Sequence, residues 1–321
     1  LACNIAFVGG NSADSDARTV AAAGAAKLYR WPKFYPIIER DRSGDPPVQV
    51  LTSLNSRDLE ISKSFDELPH GLRIEWLDET NDFREGEPRE VYAPGYDAGN
   101  ATRINAPRFE GPTTAAQVDY LGDLMLKQLW YRMKQYTTTV FQEWLIARPG
   151  DVIAANHNVV DPGHFQAYIA DDGVETSGGF VTGLRLVEPI NLAMVVEEAN
   201  SVDDFLPGEV SHAGCVIRLA DGTSITAQCQ QGDNDHHIIF PVPFADPGES
   251  DLKADCIVGF GGMGREYRRL ILIDVKPQAG GTAVLTLVDE APEIHNPFDD
   301  VLGAGEGDEA GAGDDDMIGV N

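Results

Sequence analysis

Gly259, Gly261 and Gly264 stand in the spacing G-x-G-x-x-G, the pattern in which a tight turn lets backbone approach a pyrophosphate at the start of a helix. That chemistry needs the helix. The chain continues instead as Arg265-Glu266-Tyr267-Arg268-Arg269-Leu270-Ile271-Leu272-Ile273, a strand-like string, so the triplet reads as a glycine-rich loop without a phosphate site. A second group, Asp233-Asn234-Asp235-His236-His237, offers the oxygen and imidazole donors of a metal site. Adjacent residues of a strand point to opposite faces, so only one of the two histidines could join these acids. Gly, Asn and Asp at this place spell a polar hairpin tip. The other histidines, His70, His157, His164, His212 and His295, follow neither H-E-x-x-H nor H-x-H spacing. Acid pairs such as Glu197-Glu198 and Asp203-Asp204 could supply the two carboxyls of a glycosidase, yet among 52 acidic residues such pairs arise by chance. There is no G-x-S-x-G elbow and no Walker loop. The sequence therefore assigns no catalytic, cofactor-binding or metal-binding residue, and the chain reads as non-catalytic.

The elements that would position any site centre on one stretch, Pro112 to Ala155. Thr114 followed by Gln117 has the spacing of a capping box after Gly111-Pro112, in which hydroxyl and amide satisfy two orphan N–H groups reciprocally. Val118, Leu121, Met125, Leu129 and Met133 then recur at helical intervals, with Leu124 and Leu126 widening the stripe, so an amphipathic helix is expected over 113–135. Thr137 to Ile146 is β-branched and aromatic and is expected to be a strand over 137–146. It ends at the corner Arg148-Pro149-Gly150-Asp151, after which Val152-Ile153-Ala154-Ala155 resumes a strand. Upstream, 11–26 reads as a loop leading into an Ala-rich turn or helix, and Lys27 to Arg40 as strands with edge or turn prolines. Asp58 to Phe65 and Leu72 to Leu77 alternate with period two and read as half-buried strands. Downstream, short strands alternate with turns, from Phe165–Ala170 to Thr282–Val288, and no helical period persists, which predicts a barrel or sandwich. The fold expected is mainly β with an α+β element: an α+β part over 1–147, a β-barrel-like part over 148–300, and an acidic, Gly-rich linker or mobile end over 301–321.

Composition narrows the function classes. With 321 residues the chain can bury a sizeable core, and 42% hydrophobic and 24% charged residues are ordinary for a globular protein. Its charge is not ordinary. There are 52 acidic against 24 basic residues, a net −28, and removing the six acids of 301–321 still leaves −22. Between Pro149 and Gly264 only Arg185, Arg218 and Lys253 oppose 18 Asp and Glu. Such a body repels phosphate backbones, which argues against nucleic-acid binding. Cys3, Cys215, Cys229 and Cys256 form no C-x-x-C pair and read as buried free thiols, with a disulfide between two of them as the alternative. No apolar run reaches the ~20 residues of a membrane-spanning helix, and Leu1-Ala2-Cys3 lacks a signal peptide's charged start. Without an initiator Met, the expected context is a longer or processed polypeptide.

Four stretches, taken in order and spacing, carry a family resemblance. They are Leu28-Tyr29-Arg30-Trp31 through Glu39-Arg40-Asp41-Arg42; Pro69-His70-Gly71-Leu72-Arg73-Ile74-Glu75-Trp76-Leu77 with Asn81-Asp82-Phe83; the helix, strand and Arg148–Ile153 unit; and Tyr267–Ile273 leading to Ala291-Pro292-Glu293-Ile294-His295. Over most of 27–300 the sequence resembles the tail-tip attachment proteins of long-tailed bacteriophages, the lambda-type host-specificity or central tail hub family. The resemblance implies a virion structural protein at the tail tip: a homotrimeric hub of β-rich subdomains closing the distal tail tube. It implies neighbouring distal tail, tape measure and fibre proteins as partners, roles in host attachment and DNA passage, and no catalytic residues. An acidic body suits the wall of a tube that DNA must traverse without sticking. The rivals are a β module that binds surface glycan through Trp31, Tyr35, Tyr92 and Tyr96, and a tail-associated hydrolase.

Overall fold

The computed structural model describes residues 2–7, 12–30, 34–63, 67–161, 163–201 and 211–296. The acidic end 301–321, Trp31 and the pair Asp203-Asp204 lie outside the described residues. In the first part of the chain, helix α1 (Ala13–Ala23) starts where the Ser15 N–H donates to Ser12 Oγ at 3.2 Å and stops at Gly24. Strands β1 (Ala26–Arg30) and β2 (Phe34–Ile38) form an antiparallel ribbon after it. Then come β3 (Gln49–Thr52), β4 (Ser56–Lys63), β5 (Gly71–Ile74), β6 (Leu77–Asp78), β7 (Arg84–Glu85), β8 (Arg89–Tyr92) and β9 (Ile104–Asn105). Helix α2 is Ala115–Tyr131, and β10 (Lys134–Val140) leaves it directly.

Helix α2 is buried on two sides, more than the expected single stripe. Val118 and Leu126 meet Leu72 and Ile74 of the small β8-β5-β9 sheet and Trp76 just beyond it, while Leu121 and Leu124 face the opposite way. Met125 is left 36% exposed. The expected capping box does not form. Thr114 occupies the cap position with no side-chain hydrogen bond, and the Gln117 amide donates instead to the carbonyls of Ala2 (2.7 Å) and Ala23 (2.9 Å). A long-range tie to the N-terminal segment has outcompeted the local one. The strand expected over 137–146 runs instead over Lys134–Val140, because both neighbours of β10 end there: Val140 is opposite Ser56 in β4 and Ala283 on the other side. With no ladder to join, Gln142–Leu145 winds into a 3-10 turn, pinned where the Trp144 indole N–H donates to the Gly281 carbonyl at 3.1 Å.

The second part adds β11 (Val152–Asn156), β12 (Phe165–Ser177), β13 (Phe180–Leu186), helix α3 (Leu192–Ser201), β14 (Ala213–Arg218), β15 (Ser224–Gln231), β16 (His237–Ala245), β17 (Ile257–Gly262), β18 (Arg268–Pro277) and β19 (Ala283–Asp289). Helix α3 contradicts the expectation of an all-strand half. Leu192, Val195 and Ala199 lie on its buried side, at helical spacing, with Leu192 and Val195 in the barrel core. Strands β12-β13-β16-β15-β14-β17 close into a barrel, and β3-β11-β18-β19-β10-β4 form a six-stranded sheet, antiparallel except for β3 beside β11. That sheet takes β3, β4 and β10 from before residue 148 and β11, β18 and β19 from after it. The fold is mainly β, as expected.

Candidate functional site

The glycine motif does not form a loop. Gly259 and Gly261 are interior residues of β17, and the chain returns as strand β18 with no helix for a phosphate to cap. Their missing side chains admit close neighbours from elsewhere in the fold. A Cβ on Gly259 would meet the Asn156 side chain at 2.7 Å, and one on Gly261 would meet the Arg265 carbonyl oxygen at 2.5 Å. Asn156 is fully buried at the end of β11 and locks the sheet to the barrel. Its amide donates to the carbonyls of Phe260 (2.9 Å) and Glu266 (2.7 Å), and its oxygen accepts from Gln166 at 2.8 Å. Val50, Ala154, Val216 and Tyr267 pack at the same junction.

At the β15–β16 turn, only one histidine joins the acids. His237 Nδ1 lies 2.6 Å from Asp233 and its Nε2 3.1 Å from Glu175, while Arg185 reaches Glu175 at 2.9 Å. The His237 bond, ahead of the nearby charges, holds Asp233 below the usual carboxylate range. His236 turns the other way, its Nδ1 3.1 Å from the Leu186 carbonyl. Among the described residues no three His, Cys, Asp or Glu side chains are arranged to hold a metal ion. Glu197-Glu198 lie on α3. Cys215, Cys229 and Cys256 are buried free thiols in the barrel core, and Cys3 is a half-buried free thiol. Two of the aromatics weighed for glycan contact are engaged in packing: Tyr35 edge-on to Tyr29 at 5.5 Å, and Tyr96 stacked on His70 at 3.9 Å.

The most developed polar site gives no sign of itself in the sequence. A groove of about 620 Å³ opens between α1, the ribbon, α2 and the six-stranded sheet, lined by apolar residues such as Ala22, Ile37, Leu121, Met125 and Ile273. Glu39 stands in its wall. Arg132, at the end of α2, donates to both Glu39 oxygens at 2.7 and 2.9 Å, and Gln128 adds a third bond at 3.1 Å. Arg132 also donates to the carbonyls of Asp289 (3.0 Å) and Glu290 (3.0 Å). Arg42, 3.6 Å from Glu39, donates to the carbonyls of Ile38, Arg40 and Gly150. Burial pushes the Glu39 carboxyl up, but the Arg132 hydrogen bonds and the charges of Arg132, Arg42 and His295 outweigh it, and the net shift is downward. Through Arg132, one carboxylate thus ties the residue that follows the ribbon to the end of α2 and the end of β19. Glu39 and Arg132 lie 93 residues apart in sequence. Glu39, Arg132 and Arg42 each bond to other protein groups, which is the signature of a joint.

Residues 56–165, about a third of the chain, match the family model Phage-tail_3, described as "Putative phage tail protein". Among solved structures the chain is similar to the tail protein from Neisseria meningitidis MC58, with 13% identity, 49% of this chain and 48% of that chain covered, and a TM-score of 0.37. It is also similar to a chain in the virion of a native gene transfer agent particle, with 12% identity, coverage of 89% and 42%, and a TM-score of 0.42. The chain spans less than half the length of either structure. No curated protein matches it. The matched stretch, from β4 through the small sheet, α2, β10 and β11 to the first residue of β12, is similar to a phage tail protein family.

Proposed function

We propose that this chain is a structural component of a bacteriophage tail, built as the central hub that closes the distal tail tube and leads into fibre or receptor-binding regions. The observation that carries the reading is the match of residues 56–165 to a phage tail family, over the strands and helix around which the rest is assembled. The physical features agree with it. The buried polar groups of Asn156, Glu39 and Arg132 hold strands and helices to one another, as in a part that transmits load. The net charge of −28 suits a wall past which DNA must slide, because repulsion of phosphate leaves no sticking points along the path. Three copies closed into a ring would cover sheet edges that one copy leaves open, and distal tail, tape measure and fibre proteins would be its neighbours.

Deleting the coding region from the phage or prophage and inspecting the lysate by electron microscopy tests the proposal. Tails that are absent or unfinished, with infectivity restored by supplying the chain in trans, are the expected result. Complete tails that bind host cells normally without it would overturn the reading.

A further inference from the structure

We propose that residues 297–302 of this same chain, which lie outside the described residues, fold back into the groove between α1, the ribbon, α2 and the six-stranded sheet, with Asp299 or Asp300 paired to Lys27. This goes beyond the tail reading and does not rest on it. The occupant follows from where the described body ends and from what the groove offers. The 3-10 turn Pro292–His295 packs beside α2. His295 Nε2 lies 3.5 Å from Glu39 in the groove wall, and the Asn296 carbonyl accepts from Lys127 Nζ at 2.6 Å. The chain therefore leaves the body at the polar wall of the groove, and its next residues are Pro297, Phe298, Asp299, Asp300, Val301 and Leu302.

The groove matches that segment in kind. Leu121, Leu124 and Ile271 line it and are buried, yet they join none of the apolar clusters formed among the described residues, and Met125 beside them is 36% exposed. Phe298, Val301 and Leu302 are apolar groups of the sort that would complete this packing, and about 620 Å³ falls within the ~300–1,000 Å³ of a ligand-sized site. Charge points the same way. On a chain with 52 acids against 24 bases, most surfaces repel an Asp-Asp pair. In this groove Arg42 and Arg132 outnumber Glu39, and Lys27 lines the wall, exposed and with no carboxylate partner among the described residues. The other charges of the lining are Glu110 and Arg108, which turns to Glu85 at 3.3 Å.

Reach agrees as well. Lys27 is opposite Ile37, two positions before Glu39, which puts it roughly 8 Å from Glu39 backbone to backbone. Asp299 follows His295 by four residues, up to ~13 Å of extended chain, so a segment that starts where His295 meets Glu39 arrives at the Lys27 ammonium. Tethering favours the chain's own segment over that of a second copy. A short tether holds its end at an effective concentration of millimolar order, whereas two bodies of −28 repel each other before they meet. The glycine-rich run from Gly303 then starts at the mouth of the groove, so whatever follows the body is held against α2 and the ribbon.

Oxidation of the full chain by hydrogen peroxide, followed peptide by peptide in a mass spectrometer, tests the proposal with Met125 as reporter and Met263, 45% exposed and outside the groove, as internal standard. An empty groove leaves the two methionines similarly reactive. The occupied groove is expected to slow Met125 about fivefold relative to Met263, and the double substitution Phe298→Asp with Leu302→Asp, made outside the packed body, is expected to abolish the difference. Carbodiimide treatment of mixed isotopically light and heavy chains should join Lys27 to Asp299 or Asp300 within one copy. Equal oxidation in the native chain, a slow Met125 that the double substitution leaves slow, or Lys27 joined only to other carboxyls would overturn the proposal. Joining of Lys27 in a light chain to Asp299 or Asp300 in a heavy one would overturn the tether and give the groove to a second copy.

Discussion

Replacing Arg132 by Met probes the joint between the ribbon, α2 and the end of β19. Arg132 is 10% exposed and Glu39 15%, so neither can recover its hydration when the other is removed. The substitution deletes two hydrogen bonds to Glu39 and two to the carbonyls of Asp289 and Glu290, leaving a buried carboxylate with Gln128 and the more distant charges of Arg42 and His295. Breaking a buried pair from one side costs about 3–5 kcal/mol, whereas replacing both partners by apolar groups is often close to neutral. For a chain of this size that loss lowers the melting temperature by roughly 4–7 °C. Glu39→Met combined with Arg132→Met should recover most of it, although Arg42 then keeps only its carbonyl partners. Thermal unfolding followed by circular dichroism on the three variants gives the comparison. A drop of under ~2 °C in Arg132→Met, or a double variant whose loss equals the sum of the singles, would refute the reasoning, since either result means that the pair is not desolvated. The sign with pH comes from the lowered Glu39 pKa. Its stabilisation is complete above the ordinary carboxylate value and is lost as pH falls through the folded one.

Gly261→Ala, which would set a Cβ 2.5 Å from the Arg265 carbonyl oxygen, should cost about 1–3 kcal/mol in denaturant unfolding, and a neutral effect would mean that β17 and the Arg265 turn separate freely. Burial holds His164 below the ordinary imidazole range, outweighing nearby Asp161 and the Arg265 carbonyl. Its contribution is therefore complete above about pH 6.5 and is lost as the pH drops through the folded value. The fall in melting temperature between pH 7 and 5 should shrink in His164→Asn, and an unchanged slope would reject the assignment. Buried Cys215 has its thiol pushed well up, first by its hydrogen bond with Cys229 and then by desolvation. Alkylation of the native protein should consequently label Cys3 alone, with Cys215, Cys229 and Cys256 reacting only after unfolding, as mass spectrometry of the peptides will show.

What the sequence discloses depends on how local the deciding contacts are. The α2 stripe and the period-two runs of β4 and β5 are readable because burial of one face imposes its period on adjacent residues. Helix α3 carries the same kind of signal in Leu192, Val195 and Ala199, but three residues in so short an element are masked by the strands on either side. Thr137 to Ile146 misleads because β propensity describes a residue's fit to a pleated surface, while strand length is set by partners ending at Ser56 and Ala283. Gly259 and Gly261 carry a true signal of close approach, but the thing approaching is Asn156 or a neighbouring turn, and spacing alone cannot tell these from phosphate. Glu39 and Arg132 give no signal at all, since neither residue marks a partner so far away along the chain.

The central claim is that this chain sits in a phage tail, at its tip. Immunogold labelling of intact particles, with antibody raised against the purified chain and viewed by negative-stain electron microscopy, tests it most directly. Gold confined to the end of the tail away from the capsid is the expected result. Label along the tube, on the capsid, or only on free protein in the lysate would contradict the account.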